Sequence, residues 1–267
     1  MCRQRTPRRF STSERTTPAR AAMALSKLSG DEQRIIFVQL CNVLEPRYLS
    51  GASNELRELT QALLPQLRAD HEAAAALCLK VGLRSCKELR EAKMIRWMDK
   101  GLTAADMATL GTLGSVLPAL ETLRLFESTA DPNGVQRLAA GLGAGALPAV
   151  TWLTLNMHVG DAGAEALAAA LGRGALPRLK YLILADAAIG DAGLVALAPA
   201  LRRRPAMHEI DLTGNPLGDE GFAALVPLPP PAVAPPPRTG VLTKLKWLSL
   251  EGTQISDASC AALAAAL

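Results

Sequence analysis

At 267 residues the chain has room for one elongated domain and a small N-terminal one, and with 49% hydrophobic but only 3% aromatic residues its core must be built from alanine and leucine. The formal charge of +4 sits in the N-terminus: residues 1–20 hold six arginines against Glu14, a net +5, so the remainder carries −1. That balance excludes a basic nucleic-acid or anionic-membrane surface on the folded part. Five cysteines (Cys2, Cys41, Cys78, Cys86, Cys260) without a Cys-x-x-Cys or regular spacing exclude a disulfide framework; they read as reduced, mostly buried residues of a cytosol-like compartment.

Residues 1–24 form a basic tail rich in Arg, Ser and Thr and poor in acid. A disordered leader and an organellar transit peptide both have this composition, and the apolar centre of a secretory signal is missing. The expected location is cytoplasmic, with nuclear or organellar placement left open. Residues 25–94 read as a helical module. Ser29 or Asp31 can cap a helix whose apolar face carries Ile35, Ile36 and Leu40. Pro46 breaks the pattern, a short second helix carries Leu56 and Leu59, and a third, longer one is predicted over 62–80.

The spacing of Leu28, Ile36, Phe37 and Leu40, followed by Leu49 and Leu56, resembles a diverged F-box, the three-helix module that docks onto a Skp-type adaptor of cullin ubiquitin ligases. Ser29 stands where that family usually has proline, 41–43 read as an insertion, and Leu56 replaces a common tryptophan. The resemblance implies adaptor binding through those six residues. The alternative is a helical cap, which any solenoid needs to seal its first unit.

From residue 95 onward an apolar triplet recurs. It reads Ile95-Arg96-Trp97, Leu123-Arg124-Leu125, Leu153-Thr154-Leu155, Leu182-Ile183-Leu184, Ile210-Asp211-Leu212 and Leu248-Ser249-Leu250. The first anchors are separated by 28, 30, 29, 28 and 38 residues, the last step lengthened by a proline-rich insertion at 227–240. A fixed period in this range signals a solenoid. Alternation along a strand turns both outer residues of each triplet inward and the middle one outward. An aspartate follows in most units (Asp161, Asp191, Asp219, Asp257), placed as the N-cap of an Ala/Leu helix. Helices are predicted over 161–171, 191–201, 219–226 and 257–267, and Leu147-Pro148 and Leu176-Pro177 are predicted to end a unit in an extended turn.

These units closely resemble the ribonuclease-inhibitor-like leucine-rich repeat family over about residues 95–267. The resemblance implies an α/β horseshoe, with a parallel sheet on the concave face and helices on the convex face. That family often places Asn or Cys shortly after the second strand leucine; Asn215 fits, while Ala187 and Thr253 depart from it and predict less uniform turns.

No P-loop, His-Glu-x-x-His or paired metal-ligand spacing is present, and His71, His158 and His208 fall on separate elements. No catalytic residue, metal or cofactor is expected. The Gly141-x-Gly143-x-Gly145 run has a counterpart one unit later at Gly172 and Gly174, so it reads as scaffold. The uncharged run 138–160 falls within the repeat register and is not expected to span a membrane.

Three aromatics occupy one column before the triplet, namely Trp152, Tyr181 and Trp247, with Glu209 between the last two. Phe126 and Glu251 occupy the column after it, and Arg124 and Asp211 the middle. Rigid aromatics beside isolated charges are the chemistry of protein-binding hot spots; aromatics at strand flanks also favour plain sheet packing. The expectation is a non-enzymatic interaction protein with a target on the concave face. Combined with the F-box resemblance, this implies a substrate-recognition adaptor of a cullin-type ubiquitin ligase. The alternative is a scaffold or inhibitor whose N-terminal helices only cap the array. The chain stops in an uncapped Ala/Leu helix at Leu267, which suggests either a longer natural array or an end that meets another molecule.

Overall fold

The computed structural model describes residues 69–127, 131–225 and 244–260. The chain divides into two compact units, Met1–Asp70 and His71–Leu267, and the description below concerns the second. The basic tail, the six F-box-like residues, the insertion at 227–240 and the last seven residues lie outside the described part.

Of the helix predicted over 62–80, residues 69–81 are described and helical; this is α1. A short helix α2 (Cys86–Glu91) follows, its N-terminus capped by the Ser85 hydroxyl, which accepts from the Glu88 N–H. Repeat units then alternate strand and helix: β1 (Met94–Met98), α3 (Ala104–Leu113), β2 (Thr122–Glu127), α4 (Gly134–Gly141), β3 (Trp152–Met157), α5 (Gly160–Gly172), β4 (Tyr181–Ile183), α6 (Asp191–Arg202), β5 (Glu209–Asp211), α7 (Asp219–Leu225) and β6 (Trp247–Ser249). The six strands form one parallel sheet in sequence order.

Pairing register follows the triplet. Ile95, Leu123, Leu153, Leu182, Ile210 and Leu248 lie side by side across the sheet. The 38-residue step therefore leaves the ladder intact. The inward leucines of β2 to β5 are essentially inaccessible, each burial worth about 1.5–3 kcal/mol. Behind the sheet the helices stack in order. Close approach is enforced between α3 and α4, where a Cβ on Gly111 would meet the Leu138 carbonyl oxygen at 2.4 Å.

The aspartate column is corrected by the structure. Neither α5 nor α6 has a side-chain cap, and Asp161 and Asp191 sit inside the first turn. Each carboxylate reaches forward to the next unit instead. Asp161 Oδ1 accepts from the N–H groups of Gly190 at 2.7 Å and Gly193 at 3.0 Å. Asp191 Oδ1 accepts from Gly218 at 2.7 Å and Gly221 at 2.9 Å. Asp219 accepts from the Ser256 N–H at 2.9 Å and its hydroxyl at 2.8 Å, and these bonds with that from Ser259 hold its carboxyl below the usual range. The column is thus a relay of charged caps between neighbours. It explains the glycine two positions on: a Cβ at Gly193 or Gly221 would fall 2.6 or 2.7 Å from the incoming carboxylate oxygen. A matching contact runs backward from arginines to carbonyls at and just past the helix ends, where intrahelical donors run out. Arg173 donates to the carbonyls of Ala139 and Leu142 at 2.9 and 3.1 Å. Arg204 donates to those of Leu171, Ala175 and Leu176.

Two turn expectations also change. Leu147 and Leu176 are left-handed rather than extended, with φ of 53° and 52°. That conformation directs their N–H groups to the preceding unit, at Gly114 and Ala146. The turns after the strands are served by three different groups. Asn215 is buried, donates to the carbonyls of Leu184, Leu212 and Thr213, and accepts from the Ile189 N–H at 2.9 Å. The buried Glu127 does comparable work by accepting from the N–H groups of Lys100 and Gly101. At Ala187 the backbone carbonyl alone accepts, from Val159 and Gly160.

Candidate functional site

Alternation along the strands leaves one side of the sheet facing away from the core. β2 makes the point: Leu123, Leu125 and Glu127 are buried, while Thr122, Arg124 and Phe126 are partly exposed on the other side. Register then aligns three columns on that open side. The first is Met94, Thr122, Trp152, Tyr181, Glu209 and Trp247; the second is Arg96, Arg124, Thr154, Ile183, Asp211 and Ser249. The third opens with Met98, Phe126 and Asn156 and is continued in sequence by Ala185, Thr213 and Glu251.

Adjacent strands lie about 4.8 Å apart, the right separation for flat side chains to stack from one strand to the next. The Arg124 guanidinium carbon sits 4.5 Å from the Trp152 ring centroid. Trp152 and Tyr181 stack at 4.6 Å with 20° between planes, and Tyr181 meets the His208 ring at 5.9 Å. One continuous π and cation ladder therefore runs from β2 to His208, the residue before β5. Its contacts are individually worth about 0.5–1.5 kcal/mol for an aromatic pair and 0.5–2 kcal/mol for the cation. The indole N–H donates to the Thr154 hydroxyl at 3.0 Å, fixing the ring plane. That bond also accounts for Thr154, which faces the open side yet is only 5% exposed. His208 Nδ1 lies 2.6 Å from the Ala206 carbonyl oxygen; a carbonyl only accepts, so Nδ1 carries the proton.

The charges divide along the sheet. Arg96, over the Phe126 ring at 5.8 Å, and Arg124 stand on the first two strands. Glu209 and Asp211 stand on β5 and Glu251 follows β6. Among the described residues none of these five forms a salt bridge. Asp211 Oδ1 accepts from the Thr213 N–H and hydroxyl at 3.0 and 2.6 Å, and Thr213 in turn meets Ser249. The Nε of Arg124 is buried without a hydrogen-bond partner.

Seven of the eight residues expected on the concave face thus share one side of the sheet, and Glu251 lies in the turn after β6. Arg124, Trp152 and Tyr181 join the ladder, Phe126 lies under Arg96, Glu209 is in register between Tyr181 and Trp247, and Trp247 is 65% exposed. Sequence reasoning passed over His208, Arg96, Met94 and Met98. Their signal was present, since each lies in a column or beside one. Met94 and Met98 are 62% and 48% exposed, large apolar residues left in solvent at the first strand. Among the described residues no group of three His, Cys, Asp or Glu side chains is placed to hold a metal ion, and no helix is long and apolar enough to cross a membrane. The glycine run keeps its scaffold reading: Gly145 donates its N–H to the Gly174 carbonyl of the next unit at 3.2 Å.

A leucine-rich repeat family model matches residues 176–198 and 206–226. Those two stretches are similar to that family, and the structure around them is an array of six parallel strands with helices between them. No curated protein matches the chain. Among solved structures, an internalin from Listeria monocytogenes is similar at 16% identity over 58% of this chain and 48% of that one, with a TM-score of 0.27. The chain thus spans about half the length of that internalin, and a score so low adds nothing to the repeat geometry.

Proposed function

We propose that this protein is a non-enzymatic interaction module that holds a protein partner on the open side of its sheet. One observation carries the reading: in a chain with 3% aromatic residues, the Arg124–Trp152–Tyr181–His208 ladder concentrates rigid side chains on a partly exposed face. Aromatic and arginine anchors of this kind supply most binding energy at protein interfaces, because they bury large area at low entropic cost. Replacing Trp152 and Tyr181 together by alanine tests it. The expected result is loss of partner capture with a retained cooperative unfolding transition. Loss of folding with no separable binding defect would make the ladder sheet packing and nothing more.

The finer form of the reading is a substrate-recognition adaptor of a cullin-type ubiquitin ligase, tethered through Leu28, Ile36, Phe37, Leu40, Leu49 and Leu56. Its support is the F-box resemblance of that segment alone. Co-expression of the full chain with a Skp-type adaptor tests it. Retention that is lost in the Phe37→Ala, Leu40→Ala variant supports the adaptor role. Absence of retention leaves the scaffold or inhibitor, in which the N-terminal helices only cap the array.

A further inference from the structure

We infer that the partner is recognised as an extended segment of about seven residues laid across the strands. It carries an acidic side chain at its β1–β2 end and a basic one at its β5–β6 end. This rests on the open-side reading above and adds to it a length, a direction and a charge order.

Length follows from the sheet. Six strands at about 4.8 Å spacing give a width of about 24 Å, which an extended chain at about 3.3 Å per residue crosses in about seven residues. Charge order follows from the columns. Arg96 and Arg124 mark one end and Glu209 and Asp211 the other, none in a salt bridge among the described residues. From β2 to β5 is three strand steps, about 14 Å. That exceeds the Debye length of about 8 Å at physiological salt, so the two patches do not neutralise each other and each keeps its own field. An acid facing the arginines and a base facing the carboxylates gain at both ends. The reversed segment, or one of a single sign, is repelled at one end at least.

The middle is set by the ladder. Trp152 and Tyr181 offer stacked ring surface between the patches, which suits an apolar, aromatic or proline side chain. The arginines are already arranged for a carboxylate. Each guanidinium lies over a ring (Arg96 on Phe126, Arg124 on Trp152), which holds its plane while leaving donors for a planar oxyanion. The expected motif is therefore an acid, a base about four positions away, and an apolar residue between.

A randomised seven-residue peptide library panned over the full chain tests this, with the Arg96→Glu, Arg124→Glu variant and the Trp152→Ala, Tyr181→Ala variant in parallel. Circular dichroism first establishes that both variants keep the wild-type fold. The wild type is expected to enrich acid–apolar–base peptides whose binding weakens at least tenfold between 50 and 500 mM salt, on the order expected for screened contacts. The arginine-reversed chain is expected to drop the acid and select bases at both ends. Enriched peptides without charge order, or the same consensus on the reversed chain, overturn the inference but leave the open side as the binding face. Peptides that bind the aromatic-free variant equally well, or no enrichment at all, refute both.

Discussion

Asp191→Ala isolates the relay between repeat units. The substitution removes two charge-assisted hydrogen bonds, to the N–H groups of Gly218 and Gly221 at 2.7 and 2.9 Å, and leaves those donors at the start of α7 without a protein partner. Hydrogen bonds to charged groups contribute about 1.5–3 kcal/mol each when buried, and N-cap deletions cost about 0.5–2 kcal/mol. Asp191 is half-buried, so water recovers part of the loss, and about 2 kcal/mol is expected. For a unit of this size that lowers Tm by about 4–8 °C. The glycine partner makes the prediction sharper. In the wild type, Gly221→Ala places a Cβ 2.7 Å from Asp191 Oδ1 and must expel the carboxylate. It loses the same bonds and regains about 1 kcal/mol of helix propensity, for a net cost of about 1 kcal/mol. With Asp191 already alanine there is no carboxylate to expel, but the Cβ still lies 3.2 Å from both the Asp191 Cα and the Leu194 Cβ positions, so the gain in helix propensity is offset and Gly221→Ala becomes about neutral. Urea unfolding of the four chains, followed by circular dichroism, gives the coupling, expected near about 1 kcal/mol. Additivity within about 0.5 kcal/mol, or an Asp191→Ala cost below that, would refute the inter-unit relay.

Arg204→Ala should cost about 2–4 kcal/mol, because it strips donors from the Leu171 carbonyl at the end of α5 and from those of Ala175 and Leu176 in the turn that follows. Arg204→Lys should recover less than half of that by the same urea assay, since an ammonium cannot fork across them. Asp106 caps α3 with Thr103 and bonds Lys80 at 2.6 Å. Burial alone raises its pKa, but the bonds from Lys80 and Thr103 outweigh that and leave it below 3.8. A depressed folded pKa means stability that is present above about pH 4 and lost as pH falls through the lowered value. The urea midpoint measured from about pH 6 to 2 should therefore fall less steeply in Asp106→Asn than in the wild type. Burial first, then the neighbouring Cys86, pushes the Cys78 thiol up to about 12. Iodoacetamide near neutral pH should label the exposed Cys260 and spare Cys78 in the native chain; equal labelling by peptide mass spectrometry would contradict that burial.

Much of the repeat architecture is legible along the chain. A triplet fixed at about one spacing specifies which residues pair, because strand alternation leaves one way to bury two leucines at once. The insertion at 227–240 does not disturb this, and Leu248 still pairs with Ile210. The side of the sheet on which Trp152 and Tyr181 fall is legible for the same reason. The aspartates were less so. Their position at a helix start is visible, but an N-cap and a cap donated to the next unit look alike in sequence. The destination of the carboxylate depends on how far apart successive helices lie, which is set by glycines packed against it.

The period, the strand register and the inward and outward faces can all be read along the chain, because they follow from local alternation and hydrophobic burial. The partners across units arise only when the repeats stack. Stacking puts Arg124 on Trp152, Tyr181 on His208, Asp191 on Gly221 and Arg204 on the Leu171 carbonyl of α5. Those pairs are separated by about one repeat in the chain, and their contact is created by stacking one unit against the next.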